Sequence, residues 1–220
     1  MDRVLDLERP NDADARHLTA LLSTASHYAY FFERADERWL QPLAGVRGYL
    51  NTPPGLIEVG GGYVQAPFWP QGQFLARVAG SEPNLVAGLV RRMPATNNPR
   101  AIAIIIEIAR ALPPDHAALL IPDISRRMSV PLAVEYAAVE AAALVRELGL
   151  AGLAEAGVEL LLSVVNAAIT SPRDDEWHLE QVLGEPLEAV AGAGGTLGRR
   201  LRACLRRLLV GRGPLRRHLK

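Results

Sequence analysis

The stretch NNPRAIAIIIEIARALPPD, residues 97–115, decides the fold class. It opens with two asparagines and a proline and closes with two prolines, which are typical boundaries of an α-helix. Between them, isoleucine and alanine occupy nearly every side of the helix, and a helix of that kind is buried against other elements. The stretch therefore predicts a central helix within a helical protein.

Helical patterns recur on both sides of this stretch, separated by short turns that contain proline or glycine. Ala76-Arg77 recurs as Ala109-Arg110, 33 residues later, and Arg91-Arg92-Met93 recurs as Arg126-Arg127-Met128, 35 residues later. Periods of this length are typical of stacked helix pairs. We therefore predict an all-α protein, an α-solenoid of antiparallel helix pairs.

The apolar spacing also predicts the individual helices. Besides the helix that begins at Pro99 and one that ends near residue 168, we expect helices over residues 11–34, 36–50, 71–79, 82–93, 113–128, 131–148, 177–190 and 196–210. Pro122 should kink or split the helix in which it lies, because proline lacks the backbone N–H that a helix interior requires.

Strands are plausible only in residues 56–67. The segments LIEV and YVQA flank Gly60-Gly61-Gly62, which predicts a small β-hairpin with a glycine turn. An isolated two-stranded hairpin is marginally stable in water, so we expect this one to pack on the helices. It is interpreted as an insertion in a helical protein.

The formal net charge is zero, but the charge is unevenly distributed. Nine of the 24 basic residues lie in residues 198–220, which contain no acid, so the preceding part is net negative. We therefore predict a helical-repeat domain over residues 1–197 and a basic amphipathic helix and tail over residues 198–220. The candidate binding arginines of this tail are Arg199, Arg200, Arg202, Arg206 and Arg207.

The basic tail has several interpretations. The favoured one is that its apolar face, with Leu201 and Cys204, caps the solenoid while its arginines are solvated. The alternatives are binding to nucleic-acid phosphates, to an acidic protein groove or, least favoured, to a membrane surface. The nucleic-acid alternative also predicts that arginines of successive repeats line one concave face, namely Arg91, Arg92, Arg126 and Arg127.

No motif in the chain indicates catalysis. There is no P-loop, no nucleophile elbow and no HExxH pair, and Cys204 is the single cysteine. We therefore predict a cytoplasmic protein without catalytic residues, cofactor or metal site, and not an enzyme. The rival interpretation, a small hydrolase or metal enzyme, requires histidines and acids to converge in one pocket. The longest strongly apolar stretch is too short to span a membrane.

A pattern of aromatic residues and prolines extends over roughly residues 25–115. It comprises Tyr30-Phe31-Phe32, Trp39-Leu40-Gln41-Pro42-Leu43, Gly48-Tyr49-Leu50, Pro53-Pro54, Gly62 and Pro67-Phe68-Trp69-Pro70, followed by Phe74-Leu75-Ala76-Arg77 and Asn97-Asn98-Pro99-Arg100. This pattern resembles HEAT-like helical regions of large bacterial multidomain proteins, some of which have suspected roles in defence. The resemblance implies that the helix pairs of the predicted α-solenoid are HEAT-like and that they form a scaffold region without assigned catalysis.

The aromatic residues near the turns are interpreted first as structural anchors. Trp39, Trp69 and Pro70 are predicted to fix the angles between helices, because large aromatic side chains are usually buried. A recognition role is the alternative for Trp69 or Tyr63, beside or within the hairpin. Together these patterns predict a non-catalytic scaffold or adaptor that binds a partner protein, with nucleic-acid binding as the alternative.

Overall fold

The protein is mostly helical, with one small two-stranded antiparallel sheet. The computed structural model describes residues 2–170, 184, 186–190 and 195–211. The chain divides into two compact units, Met1–Pro113 and Pro114–Lys220, and each is described by itself. The predicted boundary between residues 197 and 198 stays a prediction.

The first unit contains seven α-helices, a short 3₁₀ helix and the two strands among its described residues. In chain order these are α1 (Asp2–Leu5), α2 (Asp12–Leu21), α3 (Ala25–Arg34), the 3₁₀ helix (Glu37–Trp39), α4 (Leu40–Gly45), β1 (Ile57–Gly60), β2 (Tyr63–Gln65), α5 (Pro70–Val78), α6 (Pro83–Arg91) and α7 (Pro99–Ala111).

Helix α7 confirms the prediction made from residues 97–115. The side-chain oxygen of Asn98 caps its first turn by accepting hydrogen bonds from the backbone N–H groups of Arg100 and Ala101, at 3.0 and 3.4 Å. Its five isoleucines are at most 6% exposed. The helix is therefore surrounded by other elements, as its sequence predicts.

Aromatic side chains form the rest of the core of this unit. Phe31 lies edge-on against Phe32 and Trp39, with ring centroids 5.1 and 5.2 Å apart, and Phe32 contacts Phe74 of α5 at 5.5 Å. Arg77 of α5 donates hydrogen bonds to the carbonyl oxygens of Phe32 and Ala35, at 2.6 and 2.7 Å. These bonds fix α5 to the C-terminus of α3, whose last carbonyls lack partners within the helix.

The prediction of one helix over residues 11–34 is wrong, because α2 ends at Leu21 and α3 begins at Ala25. The hydroxyl of Thr24 accepts a hydrogen bond from the backbone N–H of His27 at 3.2 Å, and this cap starts a new helix. The apolar spacing continues across the break and therefore hid it. The helix predicted over residues 36–50 is also shorter, since α4 ends at Gly45.

The second unit contains α8 (Pro114–Ala118), α9 (Ile121–Arg127), α10 (Ala133–Leu150), α11 (Ala154–Thr170) and α12 (Gly195–Gly211), and residues 186–190 are helical. The predicted effect of Pro122 is confirmed, because the pattern splits into α8 and α9 with Pro122 in the first turn of α9. The helix predicted over residues 177–190 lies mostly outside the described residues.

Helix α11 is central to the second unit, since α9, α10 and α12 all pack against it. The helix predicted over residues 131–148 extends to Leu150, so Gly149 lies within α10, where it allows residues 186–190 to approach closely. A Cβ at Gly149 would lie 2.6 Å from the carbonyl oxygen of Ala189, and one at Gly157 would lie 2.9 Å from a methyl group of Val190. The two glycines therefore serve packing rather than helix termination.

Candidate interaction surface

The β-hairpin carries the most exposed group of large apolar side chains in the first unit. Ile57, Val59, Tyr63 and Val64 are 52%, 58%, 75% and 54% exposed, and Phe68, just after the second strand, is 49% exposed. We call these five residues the hairpin surface. Large apolar side chains grouped in this way on a protein surface mark sites of interaction.

The expectation that the hairpin packs on the helices is wrong, because every residue of both strands is exposed. Ile57 pairs with Gln65, and Glu58 pairs with Val64. Since side chains alternate between the two faces of a strand, Ile57 and Val64 project to opposite faces. Both faces of the hairpin therefore carry apolar side chains, and neither face is covered.

Hydrogen bonds, instead of packing, hold the hairpin in place. Thr96 donates to the carbonyl oxygen of Pro54 at 2.8 Å, and the side-chain oxygen of Asn97 accepts from the backbone N–H of Leu56, also at 2.8 Å. The amide of Asn98 donates to the carbonyl oxygen of Pro67 at 2.9 Å. The chain is thus fixed on both sides of the hairpin to the segment that starts α7.

Asn98 is the centre of this arrangement. It is fully buried, with 0% of its surface exposed, and it both caps α7 and binds Pro67. A buried amide group requires all of its partners, because an unsatisfied one costs free energy. The sequence predicted Asn98 only as the start of a helix, and its bond to Pro67 was missed because the two residues are 31 positions apart.

Trp39 and Trp69 are buried, at 0% and 2% exposed. Burial excludes Trp69 from direct recognition, so of the two residues with a predicted recognition role only Tyr63 is exposed. Pro70 is the first residue of α5, a position that suits proline. A Cβ at Gly72 would lie 2.2 Å from the ring of Trp69, so only glycine allows this ring to lie on α5. Phe68 is exposed beside this anchored residue.

The five candidate arginines of the tail, which are Arg199, Arg200, Arg202, Arg206 and Arg207, are all exposed on α12. Leu201 of the same helix is buried, and the thiol of Cys204 lies 3.5 Å from the side-chain oxygen of Asn166 in α11. Arg199 donates to the hydroxyl of Thr196 at 3.2 Å. Within the described part of the chain, these arginines form no ion pair.

The arginines predicted to line a repeat face lie in different units. Arg91 and Arg92 are exposed at the end of α6 in the first unit. In α9 of the second unit, Arg126 is exposed and pairs with Asp123, while burial lowers the pKa of the half-buried Arg127. That these four side chains share one concave face stays a prediction.

Two surface depressions show what chemistry the described residues could support. One, of about 650 Å³, is lined in part by Asn11, Arg16 and Arg38. The Nη2 atom of Arg38 lies 2.6 Å from the Oδ2 atom of Asp36, and this hydrogen bond lowers the pKa of the Asp36 carboxyl group. The other, of about 320 Å³, is mostly apolar and lies where Leu132 precedes α10. Among the described residues that line these two depressions there is no histidine or cysteine.

The histidines give no site among the described residues. His17 and His27 are exposed and His116 is half-buried, while His178 and His218 lie outside the described residues, as does the acidic run 174–176. No group of three or more histidine, cysteine, aspartate or glutamate side chains that could hold a metal ion occurs in the described part of the chain. There too, no helix is long and apolar enough to cross a membrane.

Comparison with known proteins gives no relative: no protein-family model, no curated protein and no solved structure matches this chain. The functional argument therefore depends on the residues themselves.

Proposed function

We propose that the protein is a non-catalytic interaction module, a scaffold or adaptor that binds a partner protein through the hairpin surface. The observation that carries the proposal is the set of five apolar side chains, 49–75% exposed, on a hairpin whose two flanking segments are hydrogen-bonded to Asn97 and Asn98, just before α7. A fixed hairpin loses little conformational entropy on binding, so its apolar area contributes to affinity. The absence of catalysis and the cytoplasmic location stay predictions.

The partner segment that best fits this surface is an extended apolar strand. A two-stranded sheet has outer edges whose backbone N–H and C=O groups can pair with an added strand. Residues such as Val59 and Tyr63 would then pack against alternate side chains of that strand. Glu58, the one charged residue of the two strands, would favour a basic residue in the added segment.

We also propose that the helices stack as an α-solenoid of HEAT-like pairs, like the helical regions of large bacterial multidomain proteins. The sequence periods of 33 and 35 residues support the stacking of helix pairs, and the aromatic and proline pattern supports the HEAT-like form. The packing of consecutive helices in the second unit, where α10 lies on α11, also supports the stacking. In a solenoid each repeat contacts its neighbours and leaves extended surfaces free for binding.

The test places a photo-reactive phenylalanine at position 63 of the full chain and identifies cross-linked proteins in a lysate of the native cells. The decisive variant is Val59→Lys, which puts a charge into the hairpin surface. Its matched control is Val139→Lys, because Val59 and Val139 are both 58% exposed. We expect one cross-linked protein that is lost with Val59→Lys and retained with Val139→Lys. Equal cross-linking in both variants would contradict the proposal.

Nucleic-acid binding is the second candidate function, and the five exposed arginines of α12 favour it. Phosphate contacts release counterions, so the affinity would fall steeply with salt. Replacing Arg202 and Arg206 with glutamine should weaken binding to duplex DNA or RNA and reduce the salt slope by about 1 for each lost contact. The predicted common face of Arg91, Arg92, Arg126 and Arg127 is supported if replacing Arg91 and Arg92 with glutamine weakens binding as much as replacing Arg202 and Arg206 does.

A further inference from the structure

Helix α12 carries four of its exposed arginines in two rows. Arg202 and Arg206, four residues apart, form the first arginine row, and Arg200 and Arg207, seven residues apart, form the second. Since each residue of an α-helix turns by about 100°, the two rows are separated by about 100–160° around the helix. Ala203 is exposed between them. The outer face of α12 therefore has a basic flank on each side and a small residue along its midline.

The inner side of α12 is anchored on α11. Leu201 is 6% exposed, Cys204 and Leu205 are half-buried, and the thiol of Cys204 lies 3.5 Å from the side-chain oxygen of Asn166. A basic amphipathic helix that enters a membrane surface buries its apolar side in the lipid. In α12 that side already packs on α11, so the helix is formed before any ligand binds and presents its arginines outward.

The arginines of the two rows are free to bind a ligand. All four are exposed, and within the described part of the chain their side chains form no hydrogen bond or ion pair. Helix α12 itself contains no acidic residue that could neutralise them. Arg199 also lies on this helix, but it donates to the hydroxyl of Thr196 and the argument does not require it. A group of guanidinium side chains without acidic partners attracts polyanions, and phosphate oxygens fit the guanidinium donors well.

We infer that α12 lies in the major groove of duplex DNA, where each arginine row binds phosphates of one strand. This inference rests on nucleic-acid binding, the second candidate function, and adds the class of nucleic acid and the way in which it is bound. The major groove of B-form DNA is about 12 Å wide and admits an α-helix between two phosphate strands. Basic flanks on two sides of one helix match that arrangement, and the small side chain of Ala203 lets the midline approach the base edges.

Other polyanions fit the two rows less well. The major groove of A-form RNA is deep and narrow, so a helix with two basic flanks does not reach into it. A flat surface of acidic lipid headgroups would meet the midline of α12 at Ala203, with the outermost arginines, Arg200 and Arg202, directed to either side. A groove, in contrast, has a phosphate strand on each side and brings both rows into contact at once.

The test compares short fluorescent duplexes of one sequence, into which the full chain is titrated by fluorescence anisotropy at several salt concentrations. One DNA duplex carries a bulky alkynyl group at C5 of its pyrimidines, a position that projects into the major groove. Its matched control carries a bulky group on N2 of guanine, which projects into the minor groove. The other two probes are a duplex RNA of the same sequence and vesicles that contain phosphatidylserine.

We expect the unmodified DNA to bind at least about tenfold more tightly than the C5-modified DNA and the RNA, and about as tightly as the N2-modified DNA. Replacing either arginine row with glutamine should reduce the slope of log affinity against log salt by about 2, because each row loses two phosphate contacts. The matched control replaces Arg16 and Arg47, two exposed arginines outside α12, with glutamine and should leave the slope unchanged.

The outcomes separate this inference from the function on which it rests. Binding to none of the nucleic acids would overturn both. Equal binding of the unmodified and C5-modified duplexes, or tighter binding of the RNA, would retain nucleic-acid binding and overturn the groove. Tighter binding to the vesicles than to DNA, or a salt slope that responds to only one row, would overturn it as well. Circular dichroism of each variant checks that helicity is retained, so that lost binding is not lost folding.

Discussion

Helix α7 and the hairpin are both rich in β-branched residues, yet these side chains are buried in the helix and exposed in the hairpin. The five isoleucines of α7 are at most 6% exposed, whereas Ile57, Val59 and Val64 of the hairpin are 52–58% exposed. Isoleucine and valine favour strands in general, but the longest run of them here forms a helix. The comparison separates two uses of apolar residues: those of α7 stabilise the fold, and those of the hairpin are available to a partner.

The difference arises from what surrounds each segment. Helix α7 has 13 residues and neighbours on nearly every side, so its side chains are removed from water. The strands of the hairpin have four and three residues, too few to bring both faces against the helices. Asn98 joins the two regions, because it caps α7 and holds the end of the hairpin at Pro67.

Replacing one isoleucine with alanine in each region should show the difference between them most clearly. Ile105→Ala leaves a cavity in a fully buried site, and we expect it to lower the free energy of unfolding by roughly 2–5 kcal/mol. Ile57→Ala, at an exposed site, should change it by no more than about 0.5 kcal/mol. Urea unfolding followed by circular dichroism measures both values. Equal losses would mean that the hairpin is part of the core.

The fold was predictable where local signals agree. In α7 the capping asparagine, the first-turn proline and the run of isoleucines all indicate a buried helix, and Pro122 correctly marked the division between α8 and α9. The prediction failed at Thr24, because a single hydroxyl cap ended one helix pattern and began another without a change in apolar spacing. Such a break depends on one hydrogen bond, which periodicity does not record.

The next prediction concerns the residue that joins the two regions. Asn98→Ala removes the cap of α7 and leaves the carbonyl oxygen of Pro67 without its partner, so we expect a loss of about 2–3 kcal/mol. Asn98→Ser keeps an oxygen for the cap and loses only the bond to Pro67, and it should cost about half as much. Urea unfolding gives the free energies, and faster hydrogen exchange at Leu56, whose N–H bonds to the side chain of the neighbouring Asn97, would report the loosened hairpin. A loss of the same size in both variants would mean that the lost hydrogen bond to Pro67 accounts for the whole decrease in stability and that the cap contributes nothing.

The candidate site was less predictable than the fold. The glycines at 60–62 indicated the hairpin, but alternation of residue types alone does not say whether a face is covered. The bond from Asn98 to Pro67 and the exposure of Val59 depend on contacts between distant parts of the chain. The exposure of Val139 and Leu150 on α10 could not be predicted either, because apolar residues on most sides of a helix are typical of the core.

A third prediction tests the anchor beside the hairpin. Gly72→Ala places a Cβ 2.2 Å from the buried ring of Trp69, so the ring or α5 must move, and we expect a net loss of about 1–2 kcal/mol. Gly88→Ala is the matched control in α6, because its Cβ meets only the flexible end of Arg92 at 3.4 Å. That variant should gain about 0.5–1 kcal/mol from the better helix propensity of alanine. A midpoint temperature of thermal unfolding that rises in both variants would contradict the close packing of Trp69 on α5.

The smallest effect on global stability should come from the turn of the hairpin. Gly61 has a φ of 61°, and an alanine there pays roughly 1 kcal/mol for the left-handed conformation. Because the hairpin carries no buried face, this cost should fall on local opening of β1 and β2 and leave global unfolding by urea nearly unchanged. Hydrogen exchange of the backbone amides that bond across β1 and β2 should therefore quicken while the urea midpoint stays the same. A midpoint that falls with Gly61→Ala as it does with Ile105→Ala would show that the hairpin unfolds with the core, and the separation between stabilising and binding residues would then not hold.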